Sequence, residues 1–489
     1  MGRPLARLLH LGPALNYARG SIDLLRPVVV GFNATGTPTA QELPLWQAAV
    51  ALAFKTTGST WYGWANLVSL LLFATGLWPF FNLARQYVGE RAAWWSTAFF
   101  LAQPLIVFQA GNAGADGFTL VLTLWFLFYA DKMIRSGVGW WWVPATLFGA
   151  LSAVSKLPFF MAAGLCSMVM LLEKSARRWR LWMLLGSAGA VAAAVLAMWT
   201  HYTNSLAAQA EYPFSELRLS QSPFLMHFYF GNLQSRLAPG GWIKGGWRFM
   251  HATIGSLPLA ALLGVALLRP GSRLPKGWLL ATFLTTLVFT NLVLIHTHYY
   301  LMCCPPVAML CGATLARWED FATQELPNPL LRFGVAGAVL VFSAIDGTIA
   351  MKIANDYDYF PQEAAVLIRQ HTRPEDKLIV YGEGNWGGEA LIYSGRKGLS
   401  VQNLENLKTM PTVKGLYTLL NNEADLRRLK SLGFNKLVLL SESPVRFAVT
   451  AVNPGSKRKR IYYPPTLPGA ADAWPVVYRS EDLLIKEIP

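Results

Sequence analysis

Charge is what this sequence has least of. Only 14% of its 489 residues are Asp, Glu, Lys or Arg, against about a quarter in an ordinary soluble domain. That shortfall argues against a freely soluble chain, and the 53% apolar content places it in the membrane class. Cysteine is scarcer still. Cys166, Cys303, Cys304 and Cys311 all lie in apolar stretches, where a thiol behaves as a small hydrophobe. Their types and spacing suggest neither a disulfide framework nor a zinc site. Internal repeats and low-complexity tracts are also missing. The aromatic content, by contrast, is high: 19 Trp residues suit a chain that meets the headgroup layer twice per span. A net charge of +15 would suit nucleic acid if it formed one patch, but the basic residues sit in short loops between apolar runs. They are read as membrane topology, and no nucleic-acid partner is expected.

A spanning helix needs roughly 17–25 mostly apolar residues. About ten candidates occur, near 62–83, 92–111, 117–131, 138–154, 157–173, 181–199, 249–268, 277–295, 299–316 and 329–349. The run Leu43–Phe54 is too short to span and carries Pro44 and Gln47, so it reads as an amphipathic helix at the surface. Alternate connections hold Arg85 and Arg91; Lys132 and Arg135; Lys174, Arg177, Arg178 and Arg180; Arg269, Arg273 and Lys276; Arg317 and Arg332. The other short connections hold almost no cations, Lys156 being the exception. The positive-inside rule places the basic set in the cytoplasm. The segment before residue 62, the 111–116 turn, the loop at about 200–248, the 296–300 turn and everything after residue 350 are then expected outside. An external N-terminus needs something to deliver it. Residues 1–30 hold no signal peptide or spanning helix, and the run Leu8–Pro13 is short and Pro-broken. A preceding transmembrane helix is therefore expected to be missing from this chain.

After residue 350 the composition changes. Residues 376–381 and 436–441 are apolar runs of strand length, and a helical pattern in Glu423–Leu432 precedes the second and ends at Gly433. Two more strand candidates follow, Pro475–Tyr478 and Asp482–Glu487. The alternation predicts a small α/β domain. The expected organisation is an external segment 1–61 with the surface helix, a transmembrane domain 62–350, and an extracytoplasmic α/β domain 351–489. Pro454–Arg460 reads as a solvated basic loop, with a lipid-headgroup contact as the weaker alternative.

A few polar groups stand at the expected external ends. Asp116 lies between two spans, where a carboxylate is costly unless hydrated, paired or metal-bound. Its plain alternative is a helix cap or solvated turn residue. Glu42 precedes the surface helix, where a carboxylate simply suits the helix dipole. Lys156 at a helix end is either a snorkelling cation or a phosphate ligand. His296, His298, Tyr299 and Tyr300 share one turn; tyrosines there commonly anchor to the interface, and the His pair alone makes no zinc site. Arg218, Arg236, Lys244 and Arg248, in or beside the long loop, are either solvated or anion-binding.

The order and placement of several short motifs resemble a known family. Leu15–Gly20, Leu24–Pro27 and Gln41–Gln47 are similar to the first external loop of bacterial GT-C glycosyltransferases. The branch meant is that of protein O-mannosyltransferases and lipid A aminoarabinose transferases. Asn82–Arg85 with Gly89–Ala92 matches its first cytoplasmic turn, and the spacing from Pro104 to Asp116 its second external loop. Lys156-Leu157-Pro158 resembles the family's "K-P" element, and His298-Tyr299-Tyr300 with Pro305 its "H-x-Y-Y…P" element. Coverage is good over 15–350; the C-terminal domain matches only loosely, through Leu391–Gly398.

The resemblance implies a polytopic α-helical GT-C fold and transfer of a sugar from a polyprenyl-phosphate donor to a glycan, lipid or protein acceptor. The transfer inverts the anomeric centre, at the outer face of the cytoplasmic membrane. Carried onto this chain, Asp116 and Glu42 are the catalytic acids, and Lys156, His298 and Tyr299 face the lipid phosphate. A divalent metal ion, with Glu42 as candidate ligand, is an optional part of that expectation. The chain departs from the family at one point: the acid that in the family precedes the helix matched here by Leu15–Gly20 is replaced by Leu11-Gly12-Pro13-Ala14. One N-terminal truncation would explain both this and the missing helix, and would leave an inactive polypeptide. Two other functions compete. A transporter or flippase of lipid-linked saccharides predicts mid-membrane charge and repeat symmetry. A non-catalytic assembly protein could keep the fold without its base.

Overall fold

A computed structural model describes residues 3–28, 42–175, 178–209, 223–271, 273–325, 328–354, 360–383, 390–391, 393–403, 427, 430–431, 433–440, 474–480 and 483–488. The chain forms two compact units: Gln41–Tyr202 with Leu225–Asp356, and Met1–Ala40 with Thr203–Phe224 and Tyr357–Pro489.

The first unit is a bundle of apolar helices. Among the described residues, four are long and apolar enough to cross a bilayer: Tyr62–Val88, Ala115–Ser136, Trp179–Gln209 and Thr297–Glu325. A bent pair, Pro239–Ile254 and Leu257–Leu268, meets at 101° and supplies a fifth if it counts as one span. The bend falls at Gly255, whose φ of 79° suits glycine, and Ser256 then caps the second helix by accepting from the Leu259 N–H. The protein is a polytopic α-helical membrane protein with a C-terminal α/β domain.

Proline explains where apolar runs break. The run near 92–111 becomes Glu90–Ala102 and Pro104–Ala110, with Gln103 extended between them (φ −62°, ψ 132°) because the residue before proline is driven out of helical geometry. The run near 277–295 divides without a proline, into Arg273–Val288 and Thr290–Ile295 at Phe289 (φ −97°, ψ 44°). The surface-helix candidate forms Leu45–Thr57, burying Trp46, Val50 and Phe54 on one face and ending at left-handed Gly58. Its Trp46 indole donates to the Ser69 hydroxyl at 2.9 Å.

The helix Cys304–Glu325 packs closest to Glu90–Ala102 at Gly312. A Cβ there would lie 2.4 Å from the Ser96 backbone nitrogen, so only glycine permits the approach. At the end that carries the basic connections, buried Asp131 accepts from the Tyr87 hydroxyl (2.7 Å) and from Arg135 Nε (2.7 Å). Arg91 pairs there with Asp320.

The second unit holds a five-stranded sheet in the order β2-β1-β3-β5-β4, with β1 Lys377–Glu383, β2 Lys397–Asn403, β3 Phe434–Leu440, β4 Val476–Arg479 and β5 Leu483–Glu487. β1, β2 and β3 run parallel; β5 is antiparallel to β3, and β4 to β5. The helix Phe360–His371 packs Ala364 and Ile368 against Leu378, Val380 and Val438. β1, β3, β4 and β5 coincide with the four apolar runs of the sequence. β2 does not, since Lys-Gly-Leu-Ser-Val-Gln-Asn has little apolar content. At Gly398 a Cβ would meet the Leu378 carbonyl at 2.2 Å, which fixes glycine in that strand. In the same unit the helix Arg3–Arg19 continues through Pro13, so the proline does not break it. Arg177, Arg218, Pro454–Arg460 and most of Glu423–Leu432 lie outside the described residues.

Candidate functional site

Four separate chain segments bring charge to one place in the helical unit. Lys156 occupies the single-residue break between Trp142–Ser155 and Leu157–Ser175, with an extended backbone (φ −155°, ψ 105°). Pro158 forces that break, and the Lys156 carbonyl accepts from the Phe159 N–H to start the next helix. Beside it, the Leu43 N–H donates to the Val154 carbonyl at 3.2 Å. That bond holds Glu42 against the end of the Trp142–Ser155 helix. Lys156 Nζ lies 2.6 Å from Glu42 Oε1 and 3.1 Å from Asp116 Oδ1.

Asp116 stands in the first turn of Ala115–Ser136, buried and favourably placed for the helix dipole. On its other side His298 Nδ1 lies 4.0 Å from Asp116 Oδ2. His298 belongs to the 3₁₀ segment Thr297–Cys303, which also sets the Tyr299 ring 5.5 Å from Lys156 Nζ. The ring is thus a cation–π partner for the ammonium. Residues 42, 116, 156, 298 and 299, far apart in sequence, therefore form one cluster.

The electrostatics of the cluster follow from burial. Burial by itself would lower the Lys156 ammonium, but Asp116 and Glu42 more than offset it and hold the group well above its ordinary value. Among the described residues, His296 has no carboxylate paired with it. Burial, reinforced by Lys156, pushes its imidazole down to about 4, against the weaker pull of Asp116. His296 is therefore neutral at pH 7, stacked at 5.2 Å on His298 and edge-on to Phe228 at 5.4 Å.

Two neighbours were not singled out as site residues from the sequence. Tyr229, in the helix Pro223–Phe230, is raised by burial and then by Glu42, so its hydroxyl stays protonated beside the cluster. In sequence it is indistinguishable from an interface tyrosine. Arg248, named only as a loop cation, donates to the Leu294 and Ile295 carbonyls and so stands next to the His296 turn. Arg236 instead serves backbone carbonyls of Phe230 and Val288, and Lys244 is exposed.

Among the described residues, no group of three or more His, Cys, Asp and Glu side chains converges to hold a metal ion. The position between Glu42 and Asp116 that a divalent cation would need is taken by the Lys156 ammonium. As arranged, this donor set does not fit a metal. Chemically the cluster offers a buried carboxylate able to accept a proton, a fixed cation, a second carboxylate, and an imidazole 4.0 Å from the buried carboxylate.

No protein-family model matches the sequence, and no curated protein matches it. Solved structures do. ArnT from Cupriavidus metallidurans bound to undecaprenyl phosphate superposes with a TM-score of 0.63 at 16% identity, over 99% of this chain and 93% of that one. The same protein in the apo state gives 0.59 at 16% identity and the same coverage. This chain therefore shares the fold of that structure over 99% of its length.

Proposed function

With the GT-C fold as premise, we propose that the protein transfers a glycosyl group from a polyprenyl-phosphate donor to an acceptor at the outer face of the cytoplasmic membrane. The observation that carries this reading is the meeting of Glu42, Asp116, Lys156 and His298 from four distant segments. A carboxylate and a lysine buried at a membrane border, as Asp116 and Lys156 are, are expensive, and clusters of such groups mark functional sites. The bound undecaprenyl phosphate of the ArnT structure supports a lipid-phosphate donor class.

In the proposed reaction an acceptor hydroxyl attacks the anomeric carbon, its proton passing to Asp116. The bond from that carbon to the phosphate oxygen breaks on the opposite face, and the electron pair stays on the phosphate. Inversion follows from this in-line displacement. Lys156 offsets the charge that develops on the departing phosphate, where a fixed cation in a dry site acts most strongly. To do so it exchanges part of its pairing with Glu42 for the phosphate. His298 and Tyr299 border the same space and orient that phosphate. With the ammonium already in place, the reaction as proposed needs no metal at Glu42.

The test is a transfer assay in membranes with a panel of polyprenyl-phosphate sugars, comparing the protein with Asp116→Asn. Sugar-dependent turnover reduced by about 10²–10⁴-fold in the variant is expected of a general base. Donors that bind or cross the bilayer without turnover would replace this reading with a lipid-saccharide transporter. Equal turnover in the variant would remove Asp116 from the chemistry.

A further inference from the structure

We propose a second ligand site, for an anionic phospholipid, at the opposite end of the helical unit from the Lys156 cluster. It does not rest on the glycosyl-transfer reading. A cavity of about 310 Å³ opens there among the start of Glu90–Ala102, the end of Leu257–Leu268, the start of Arg273–Val288 and the last turns of Cys304–Glu325. Its charged walls are Arg91, Arg269, Lys276 and Arg317, against Glu90 and Asp320. Asp320 is already paired with Arg91. Glu90 begins its own helix, where its charge offsets the helix dipole. The remaining cations, Arg269, Lys276 and Arg317, make the cavity a receptor for an anion.

The backbone holds two of these cations in position. Lys276 Nζ donates to the Leu267 (2.8 Å) and Arg269 (2.6 Å) carbonyls, and Arg317 Nη1 to the Pro270 carbonyl (3.2 Å). Neither a Lys nor an Arg exhausts its donors on such contacts, so each can still serve a phosphate.

A second cavity makes the ligand a lipid. A groove of about 460 Å³ runs between Pro239–Phe249 and Arg273–Val288, and Lys276 lines both it and the basic cavity. From Lys276 the groove follows one face of its helix through Leu279, Leu280 and Phe283 to Thr286, about 15 Å away at the ordinary helical rise. The facing wall is Trp242, Gly246 and Phe249. A cationic cradle that shares Lys276 with an apolar channel matches one molecule, a phosphodiester headgroup carrying an acyl chain. Basic pockets between spanning helices bind anionic headgroups by this chemistry.

Binding of phosphatidylglycerol to the purified full-length protein tests the proposal. The controls are phosphatidylcholine with the same chains and glycerol 3-phosphate as the head without a tail. The variants are Arg269→Gln with Arg317→Gln, both exposed positions, and Gly246→Leu. A Cβ at Gly246 meets nothing within 4 Å, so a side chain can leave the backbone there and narrow the groove. Phosphatidylglycerol is expected to bind at least about tenfold more tightly than phosphatidylcholine, and the double variant to lose that advantage. Gly246→Leu should weaken phosphatidylglycerol while leaving glycerol 3-phosphate unchanged. Equal binding of the two phospholipids, or an unaffected double variant, would overturn the site. Glycerol 3-phosphate binding as tightly as phosphatidylglycerol would reduce it to an anion site. Competitive displacement by undecaprenyl phosphate, sensitive to the same variants, would assign the groove to that lipid instead.

Discussion

Lys156 owes its energetic weight to its company. Its side chain is 8% exposed and that of Asp116 7%, so each carries a charge that water can barely reach. Removing the ammonium leaves Asp116 buried without its counter-ion, a change that typically costs about 3–5 kcal/mol. Lys156→Ala should accordingly lower the unfolding temperature in detergent markedly, and Lys156→Arg far less. His296 predicts a pH effect of definite sign. Its folded value of about 4 lies below its ordinary value, so the unfolded chain binds more protons between about pH 6.5 and 4. Stability should fall as pH drops through that window, and His296→Gln should flatten that part of the profile, read by unfolding at pH 4, 5.5 and 7. The charged residues of the cluster were individually visible in the sequence, as rare charges at the ends of apolar runs. Their meeting was not, because no local spacing encodes contacts among residues 42, 116, 156 and 298. Tyr229 was invisible for a related reason: an aromatic triplet at a membrane border looks like an anchor wherever it points.

Elements were most legible where hydrophobicity alone decides them. β1, β3, β4 and β5 are apolar runs bounded by turn residues, and the gap before Pro158 matches a helix break by chemistry that needs no tertiary context, whereas hydropathy alone carries the 92–111 run straight through Pro104. β2 was not legible. It is a strand because β1 offers it a parallel edge and Gly398 lets the backbones close up, and neither fact leaves an apolar pattern. The contact of Cys304–Glu325 with Glu90–Ala102 is likewise set by one glycine. A methyl at Gly312 would collide with the Ser96 backbone, which cannot swing aside as a side chain would. Gly312→Ala should cost about 1–3 kcal/mol, the usual penalty of overpacking. Gly186→Ala is the control: nothing lies within 4 Å of its added Cβ, and a helix interior favours alanine, so that variant should be neutral or more stable. Thermal unfolding of the two variants side by side separates packing from helix propensity.

For the whole molecule, the membrane class followed from composition, because too few charges remain to clothe a soluble surface, and the α/β domain from strand-length apolar runs alternating with a helical pattern. Orientation rests on the alternation of basic connections and can be measured directly. All four native cysteines are buried, so a single introduced thiol reports against a quiet background. In intact cells an impermeant maleimide should label Ser59→Cys and spare Ser136→Cys, both exposed positions; the reverse pattern would invert the topology. The ion pairs around Lys156 also bear on how an anionic partner arrives. A site whose cation is already neutralised by its own carboxylates projects little field into the surroundings, so it does not steer charged molecules from a distance. Capture then depends on diffusion in the plane of the bilayer followed by a swap of counter-ions at contact. Its rate should stay nearly constant as ionic strength rises, where an open basic funnel would slow steeply.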